Sequence, residues 1–357
     1  MLDLSSDIFS GKYLPSQWER KEIDVSKYEK ALNIICPNMD ILGQLTRSTN
    51  TVSFVLKSSQ KLFVCQFAPP NLTKVSKFEE KNNPNKFQGA QERMAHLNEH
   101  KISVPEIILK GETIIDSQKR QYIVMNFVDG ISADRLLARS PESRLTIYHE
   151  FGRILSKLST VPIIEPENRT PSKIVLDKVN HAAKYILNRK IISQDQFDKL
   201  IMLVNARLTI LGEMPLAYVH LDPSPTNLHI KIQGTKHVTT LMDIEAIQIG
   251  HPIIEGLGRA IMTGIYDWSY ITNGNTDEIQ SNVESFLSGY SEMSLYAKSL
   301  LRSKKDFEWL LQTCRIIHLP QSIMYEDKKD TSLFNPDDIS FNWSIDTLQK
   351  LITGNEK

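Results

Sequence analysis

Cysteine is scarce in this chain and neither sign of charge is in surplus. Cys36, Cys65 and Cys314 are the three cysteines among 357 residues. Odd in number, far apart and without CxxC spacing, they exclude a disulfide framework and a cysteine-ligated zinc site, and read as buried or half-buried thiols of a reducing compartment. Lysine plus arginine equals aspartate plus glutamate, at 42 each. Such a balance builds no long-range field toward nucleic acid or an anionic membrane, which argues against a dedicated nucleic-acid binder, and a charged partner must be met by a local patch. No apolar run reaches membrane-spanning length. The N-terminal MLDLSSDIFSGKYLP carries two acids before its first lysine and no long apolar core, so it does not read as a signal peptide. Internal repeats and low-complexity segments are also lacking. These absences predict a soluble, cytoplasmic protein with no membrane partner. At 357 residues the chain is long enough to bury a large core, and two lobes are expected rather than one.

What is present is concentrated in residues 218–245, YVHLDPSPTNLHIKIQGTKHVTTLMDIE. Read as strand, loop and hairpin, this stretch offers His220, Asp222, Asn227 and Asp243 from two connected turns. A carboxylate followed five residues later by an amide, then a second carboxylate at the end of the next apolar strand, can surround a metal and a phosphoryl group. Asp222 would orient an attacking hydroxyl and take its proton, while Asn227 and Asp243 would hold Mg2+ against phosphates. Phosphoryl transfer asks a protein mainly for such positioning and charge neutralisation. Asp-Pro-Ser-Pro-Thr-Asn is by composition also a good turn sequence. The apolar strands on either side and the Gly-x-Pro beyond favour the metal-phosphate reading.

HLDPSPTN followed by LMDIEAIQIGHPIIEGLGRA resembles the HxDxxxxN and D-x-E...G-x-P...D motifs of the aminoglycoside phosphotransferase-like kinases, a superfamily that includes choline and fructosamine kinases. The resemblance implies an α+β, bilobal protein-kinase-like fold, with a small antiparallel-sheet N-lobe and a larger, mainly helical C-lobe. It also implies ATP or GTP as phosphoryl donor, Mg2+, and a small-molecule hydroxyl substrate of aminoglycoside, choline or amino-sugar type. Asp222 takes the catalytic position, and Asn227 and Asp243 those of the metal. Glu255 stands where relatives carry an Asp that anchors the catalytic loop, and His251 interrupts their Gly-Asp-Pro. By base rate His251 is a structural or surface histidine. Glu245 would either meet a cationic substrate or brace the loop. Against a protein kinase stand the HLD without arginine, DIE in place of DFG, and the lack of an APE-like segment.

Upstream, residues 1–24 show no clean period. With a helix at 25–35, capped by Asp24 and ended by Pro37, they make an arm, 1–35, of an N-terminal nucleotide lobe spanning 1–129. Alternation predicts a hairpin, strands 51–57 and 61–67 around Ser-Ser-Gln. Ser48, Thr49 and Asn50 before it resemble the nucleotide-covering loop, with an ordinary polar loop as the equal alternative. The family's phosphate-binding lysine falls on Gln66, an amide that supplies no charge. Lys57 and Lys61 flank the turn and read as surface lysines. On the next helix, 84–99, Ala90, Met94 and Leu97 make the buried stripe. Gln91 would then pair with Gln66, or Glu92 is an ordinary exposed charge. Residues 121–130 run into a hinge where, by the resemblance, the backbone at Asn126 to Val128 meets the adenine.

The C-terminal lobe, 130–357, would carry catalysis and the substrate. It shows a helix over 143–162 with Leu145, Tyr148, Phe151, Ile154, Leu155 and Leu158 on one face, a proline-rich connection over 163–176, and helices at 177–189 and 194–212. Helices follow over 257–318, with Asp267, Trp268 and Tyr270 as pocket or core, then an acidic loop at 326–340 and a short final helix. A kinase-shaped nucleotide-binding protein with little or no catalysis is the competing reading. Its support is Gln66.

Overall fold

The computed structural model describes residues 25–45, 52–68, 89–164, 167–233, 236–267, 276–328 and 338–354. The chain divides into two compact units. One takes in the described residues up to Asn98 together with Val104–Asp129; the other takes in Glu99–Ser103, Gly130–Lys328 and the C-terminal helix. Among the described residues no helix is long and apolar enough to cross a membrane.

The first unit is built on an antiparallel sheet of five strands, β1 (Asp40–Leu45), β2 (Val52–Ser58), β3 (Lys61–Phe67), β4 (Ile107–Ile115) and β5 (Gln118–Asn126), in the order β1-β2-β3-β5-β4. The β2–β3 hairpin forms as the alternation predicts, its register running from Val52 opposite Phe67 to Ser58 opposite Lys61. Lys57 and Lys61 stand exposed beside the turn. Because side chains alternate across a sheet, Phe54, Leu56, Cys65 and Phe67 share one face, where they bury beneath helix α1 (Ser26–Ile35) with its Tyr28 and Leu32. The Tyr28 ring lies 5.3 Å from both Phe54 and Phe67, and its hydroxyl accepts from Arg120 of β5 at 2.8 Å. Gln66, one residue out of phase, is turned to the opposite face. Helix α1 opens after Val25 without a side-chain cap; Asp24, expected there, lies outside the described residues. The described part of the next helix, α2 (Ala90–Glu99), buries Ala90, Met94 and Leu97, the predicted stripe.

The second unit is mainly helical. It continues through a short strand β6 (Ile131–Ser132) and α3 (Ala133–Arg139) to the long α4 (Arg144–Leu158). Tyr148, Phe151, Ile154, Leu155 and Leu158 of α4 are buried as read from the sequence. Leu145 is not: it sits on the first turn and is 46% exposed. Helix α4 packs against α7 (Thr276–Tyr290), with α5 (Pro171–Asn188) and α6 (Gln194–Leu211) between them in the chain. The α4–α7 crossing is made through two glycines. A Cβ on Gly152 would lie 2.1 Å from the Phe286 carbonyl oxygen, and one on Gly289 would lie 2.0 Å from that of His149.

Helix α5 begins at Pro171, inside the segment 163–176 read as a connection. Thr170 caps it, its side chain accepting from the Lys173 N–H, and Pro171 occupies the first turn, where no N–H is needed. Helix α8 (Leu295–Leu300) and the 25-residue α9 (Lys304–Lys328) follow α7. The predicted acidic loop therefore begins later than residue 326. The last helix, α10 (Asp338–Thr353), starts earlier and runs longer than expected.

Candidate active site

The site is assembled on short strands of the second unit. β7 (Ala217–His220) is buried along its whole length and pairs antiparallel with β10 (Ile247–Gly250), Ile247 opposite His220 and Gly250 opposite Ala217. Between them lie the loop 221–224, a 3-10 turn Pro225–Asn227, the hairpin β8 (Leu228–Gln233) and β9 (Lys236–Leu241), and a second 3-10 turn Ile244–Ala246. Proline fixes φ at the first turn while Asp222 and Asn227 close it with their own polar groups.

Asp222 and Asn227 are brought together. The Asn227 Nδ2 donates to the Asp222 backbone carbonyl and to its carboxylate Oδ2, both at 2.9 Å. The Asn227 backbone carbonyl accepts from the Met242 N–H at 2.8 Å, which ties the loop to the residue preceding Asp243. Asp222 is exposed, and Asn227 and Asp243 are half-buried, so all three side chains are reachable from solvent. Asp243 adopts a left-handed backbone, φ 51° and ψ 58°, which costs a non-glycine residue about 1–3 kcal/mol and turns the chain sharply out of the strand direction. The carbonyl of Asp243 accepts from the Ala246 N–H at 2.8 Å, and that of Ala246 from the Leu221 N–H at 2.8 Å, closing the two turns on each other.

His220 is the fastener beneath them. One ring nitrogen, Nδ1, accepts from the Asp222 N–H at 3.2 Å, and the other, Nε2, reaches the Met242 carbonyl at 2.9 Å. The pair of partners dictates a neutral ring with the proton on Nε2. Burial of the ring lowers its pKa from the ordinary histidine value, in the same sense. A neutral imidazole thereby spans the base of the loop and the approach to Asp243. The sequence offered the histidine; its two partners depend on the fold. Ser103, in the segment after α2, steadies β9 from the side: its hydroxyl bonds Thr240 at 2.8 Å and its carbonyl accepts from the Leu241 N–H at 2.9 Å.

Beyond β10 the Gly-His-Pro opens a wide, π-type turn, Pro252–Gly258. His251 is fully buried and caps it, Nδ1 accepting from the Ile253 and Ile254 N–H groups, while its own N–H donates to Glu255 Oε2 at 3.0 Å. It is a structural histidine rather than a surface one. Glu255 is 1% exposed and its Oε1 lies 2.5 Å from the Lys178 ammonium of α5. Burial opposes the charge on Glu255, yet Lys178 and the His251 N–H outweigh it, and the carboxyl sits below its ordinary pKa. Lys178 was missed in the sequence, where a helical lysine reads as solvated.

In the first unit Gln66 pairs across the sheet with Ser53 and Ile123. Its Oε1 is buried and, among the described residues, has no hydrogen-bond partner. Gln91 donates instead to the Ile107 carbonyl at 3.4 Å, and the exposed Glu92 meets Lys110 of β4 at 3.4 Å, so Glu92 is an ordinary surface charge. At the hinge, the Asn126 N–H donates to the Glu106 carbonyl at 3.0 Å and the Phe127 N–H to the Leu62 carbonyl at 3.1 Å. Among the described residues the Val128 N–H makes no such backbone bond. Ser48, Thr49 and Asn50 lie outside the described residues, as do Trp268, Tyr270 and the side chain of Asp267.

Two turns are thus bound into one unit, with an acid, an amide and a second acid at their surface. The model of the phosphotransferase enzyme family matches residues 46–278, and the chain belongs to that family. Its fold is the bilobal, protein-kinase-like one of the aminoglycoside phosphotransferases. The chain is similar to the microcompartment-associated aminopropanol kinase, at 13% identity over 92% of this chain and 95% of that one, with a TM-score of 0.55. It is similar also to the apo form of a thermostable mutant of aminoglycoside phosphotransferase APH(4)-Ia, at 12% identity over 92% and 99%, TM-score 0.58. A third is amicoumacin kinase hAmiN, in complex with AMP-PNP, Ca2+ and Ami, at 11% identity over 93% and 94%, TM-score 0.58. No curated protein matches the chain by sequence.

Proposed function

We propose that this protein transfers the γ-phosphoryl group of ATP to a hydroxyl of a small molecule of aminoglycoside, choline-like or amino-sugar type, with Asp222 as the base. The observation that carries this reading is the hydrogen bond from Asn227 to the exposed Asp222 carboxylate, on a loop whose base His220 holds. An anchored carboxylate with one oxygen engaged keeps the other for the hydroxyl proton, and positioning of this kind is most of what phosphoryl transfer requires.

Mg2+ suits the donor set. No group of three His, Cys, Asp or Glu able to hold a metal exists among the described residues. Asn227 has committed its nitrogen to Asp222, leaving its amide oxygen, and Asp243 adds one carboxylate. A few hard oxygens completed by water and phosphates are what Mg2+ prefers over an all-protein cage. When bound, the ion supplies charge neutralisation at the phosphates; Asn227 and Asp243 would hold it.

In this reading residues 1–129, with the arm 1–35, form the nucleotide lobe, and 130–357 the catalytic and substrate lobe. Ser48, Thr49 and Asn50 would cover the phosphates, and Gln66 would donate an uncharged hydrogen bond to one of them. The hinge favours ATP over GTP. With the Asn126 and Phe127 N–H groups already engaged, the Asn126 carbonyl and the Val128 N–H remain as an acceptor and a donor, matching the amino group and ring nitrogen of adenine. Guanine presents a carbonyl and an N–H there, the reverse order.

The test measures ATP binding with and without Mg2+, then turnover with amino sugars, choline and sugar-amines. Asp243→Ala should abolish the metal-dependent part of ATP binding. Asp222→Asn should leave binding intact and lower turnover by about 100- to 10,000-fold. Tight nucleotide binding indifferent to both changes, with no turnover, would establish the second reading, a kinase-shaped nucleotide-binding protein, which Gln66 in place of a charged residue favours.

A further inference from the structure

The buried ion pair between Lys178 and Glu255 lies outside the catalytic loop but is joined to it by an unbroken run of contacts. Glu255 uses both carboxylate oxygens: Oε1 faces the Lys178 ammonium at 2.5 Å, and Oε2 accepts the His251 N–H at 3.0 Å. That second oxygen also rests on Gly250, where a Cβ would lie only 2.5 Å from it. Gly250 is the last residue of β10, and β10 pairs along its length with β7, ending at Ile247 opposite His220. The turn just before β10 accepts the Leu221 N–H through Ala246. His220 in turn holds the Asp222 N–H and the Met242 carbonyl. Lys178 is 17% exposed and Glu255 1%, so neither charge is solvated well enough to stand without the other.

We propose that Lys178 is a positioning residue of the phosphotransfer site: by holding the Glu255 carboxylate against Gly250 and the His251 N–H, it fixes β10, and through β10 and β7 it fixes the loop that carries Asp222. The relevance to turnover rests on the phosphotransferase reading; the mechanical linkage does not. A surface-like lysine in the middle of α5 thus acts on chemistry it never touches. Its contribution depends on a charge-assisted bond, which is roughly twice as strong as a neutral one.

The experiment follows amide hydrogen exchange of the full chain by mass spectrometry, with ATP turnover beside it. In Lys178→Met, exchange should rise about tenfold in peptides covering 217–224 and 242–250, as well as in α5 and 252–258. Turnover should fall about ten- to a hundredfold with the KM for ATP nearly unchanged, since a small misplacement of the base costs rate rather than affinity. Lys178→Arg, which keeps the charge, should restore both. Should Lys178→Met fail to fold, the neutral pair Lys178→Met with Glu255→Gln avoids the stranded charge and should still loosen 217–224. Faster exchange confined to α5 and 252–258, or wild-type protection of 217–224 in the double variant, would overturn the linkage. Wild-type protein without turnover toward any acceptor would count against the phosphotransferase reading, while the exchange result would still decide the linkage.

Discussion

Asn227 bonds Asp222 twice through a single nitrogen, Nδ2 donating to the backbone carbonyl and to the carboxylate at 2.9 Å each. In the proposed reading the amide is both a latch on the base and, through its remaining oxygen, a ligand for the cation. Two substitutions separate these roles. Asn227→Asp keeps an oxygen for the metal but replaces the donor with a second carboxylate facing Asp222. Turnover should fall by about a hundredfold while the Mg2+ concentration needed for half-maximal rate stays close to wild type. Asn227→Ala removes both functions and should raise that Mg2+ requirement as well. Initial rates across a Mg2+ series check this, and identical Mg2+ curves for Ala and wild type would remove Asn227 from the metal's shell.

In the proposed reading Gln66 points the other way, toward a phosphate site with little charge. Its Oε1 is buried without a partner among the described residues, and its neighbours across the sheet, Ser53 and Ile123, are uncharged. Gln66→Lys should tighten ATP binding by about 1–2 kcal/mol, the gain of a charge-assisted over a neutral hydrogen bond. Calorimetric titration of ATP in Mg2+ measures it. An unchanged affinity would mean that position 66 does not reach the phosphates.

The parts of the fold that were legible are those written in local pattern. The β2–β3 hairpin follows from alternation, since Phe54, Leu56, Cys65 and Phe67 all fall on the face under α1. The strands and turns that carry Asp222, Asn227 and Asp243 were legible because turn chemistry and strand chemistry alternate around them at fixed spacing. The start of α5 is written locally too, since Thr170 followed by Pro171 is a cap and a first-turn proline, but the proline-rich neighbourhood reads equally as a connection. Lys178 and Glu255 were not legible as a pair, because 77 residues separate them and only the fold makes them neighbours. His251 illustrates the same limit, since its capping role is local but its burial is not.

The α4–α7 crossing yields a prediction of stability. At Gly152 a methyl group would meet the Phe286 carbonyl at 2.1 Å, backbone against backbone, so the helices must separate. Gly152→Ala should destabilise the second unit by about 3 kcal/mol, the upper range for overpacking. Gly354, just past α10, gives the contrast. It has φ +77° but nothing within 4 Å of an added Cβ, so Gly354→Ala should cost only about 1 kcal/mol of backbone strain. Urea unfolding of the two variants should separate them clearly, and equal losses would contradict the close helix contact.

Acid sensitivity should come from the buried histidines of the second unit. Burial pushes His251 down to about 4 and His318 to about 3, against an ordinary value of 6.5. Each ring is neutral when folded and takes up a proton on unfolding, so its contribution is fully present above pH 6.5 and is lost as pH falls toward the folded value. For His251 the loss is on the order of 3 kcal/mol across that window. Glu255, held below its ordinary value mainly by Lys178 against the cost of burial, keeps its charge over most of the same range. Asparagine can replace His251 as a cap, because its side-chain oxygen can accept from the Ile253 and Ile254 N–H groups without titrating. His251→Asn should therefore lose about 2 kcal/mol less than wild type between pH 7.5 and pH 4.5, measured by urea unfolding. His220 and His318 titrate in both proteins and cancel in the comparison. Parallel stability curves would show that His251 carries no proton linkage, and the acid limb would then have to be sought in those two rings.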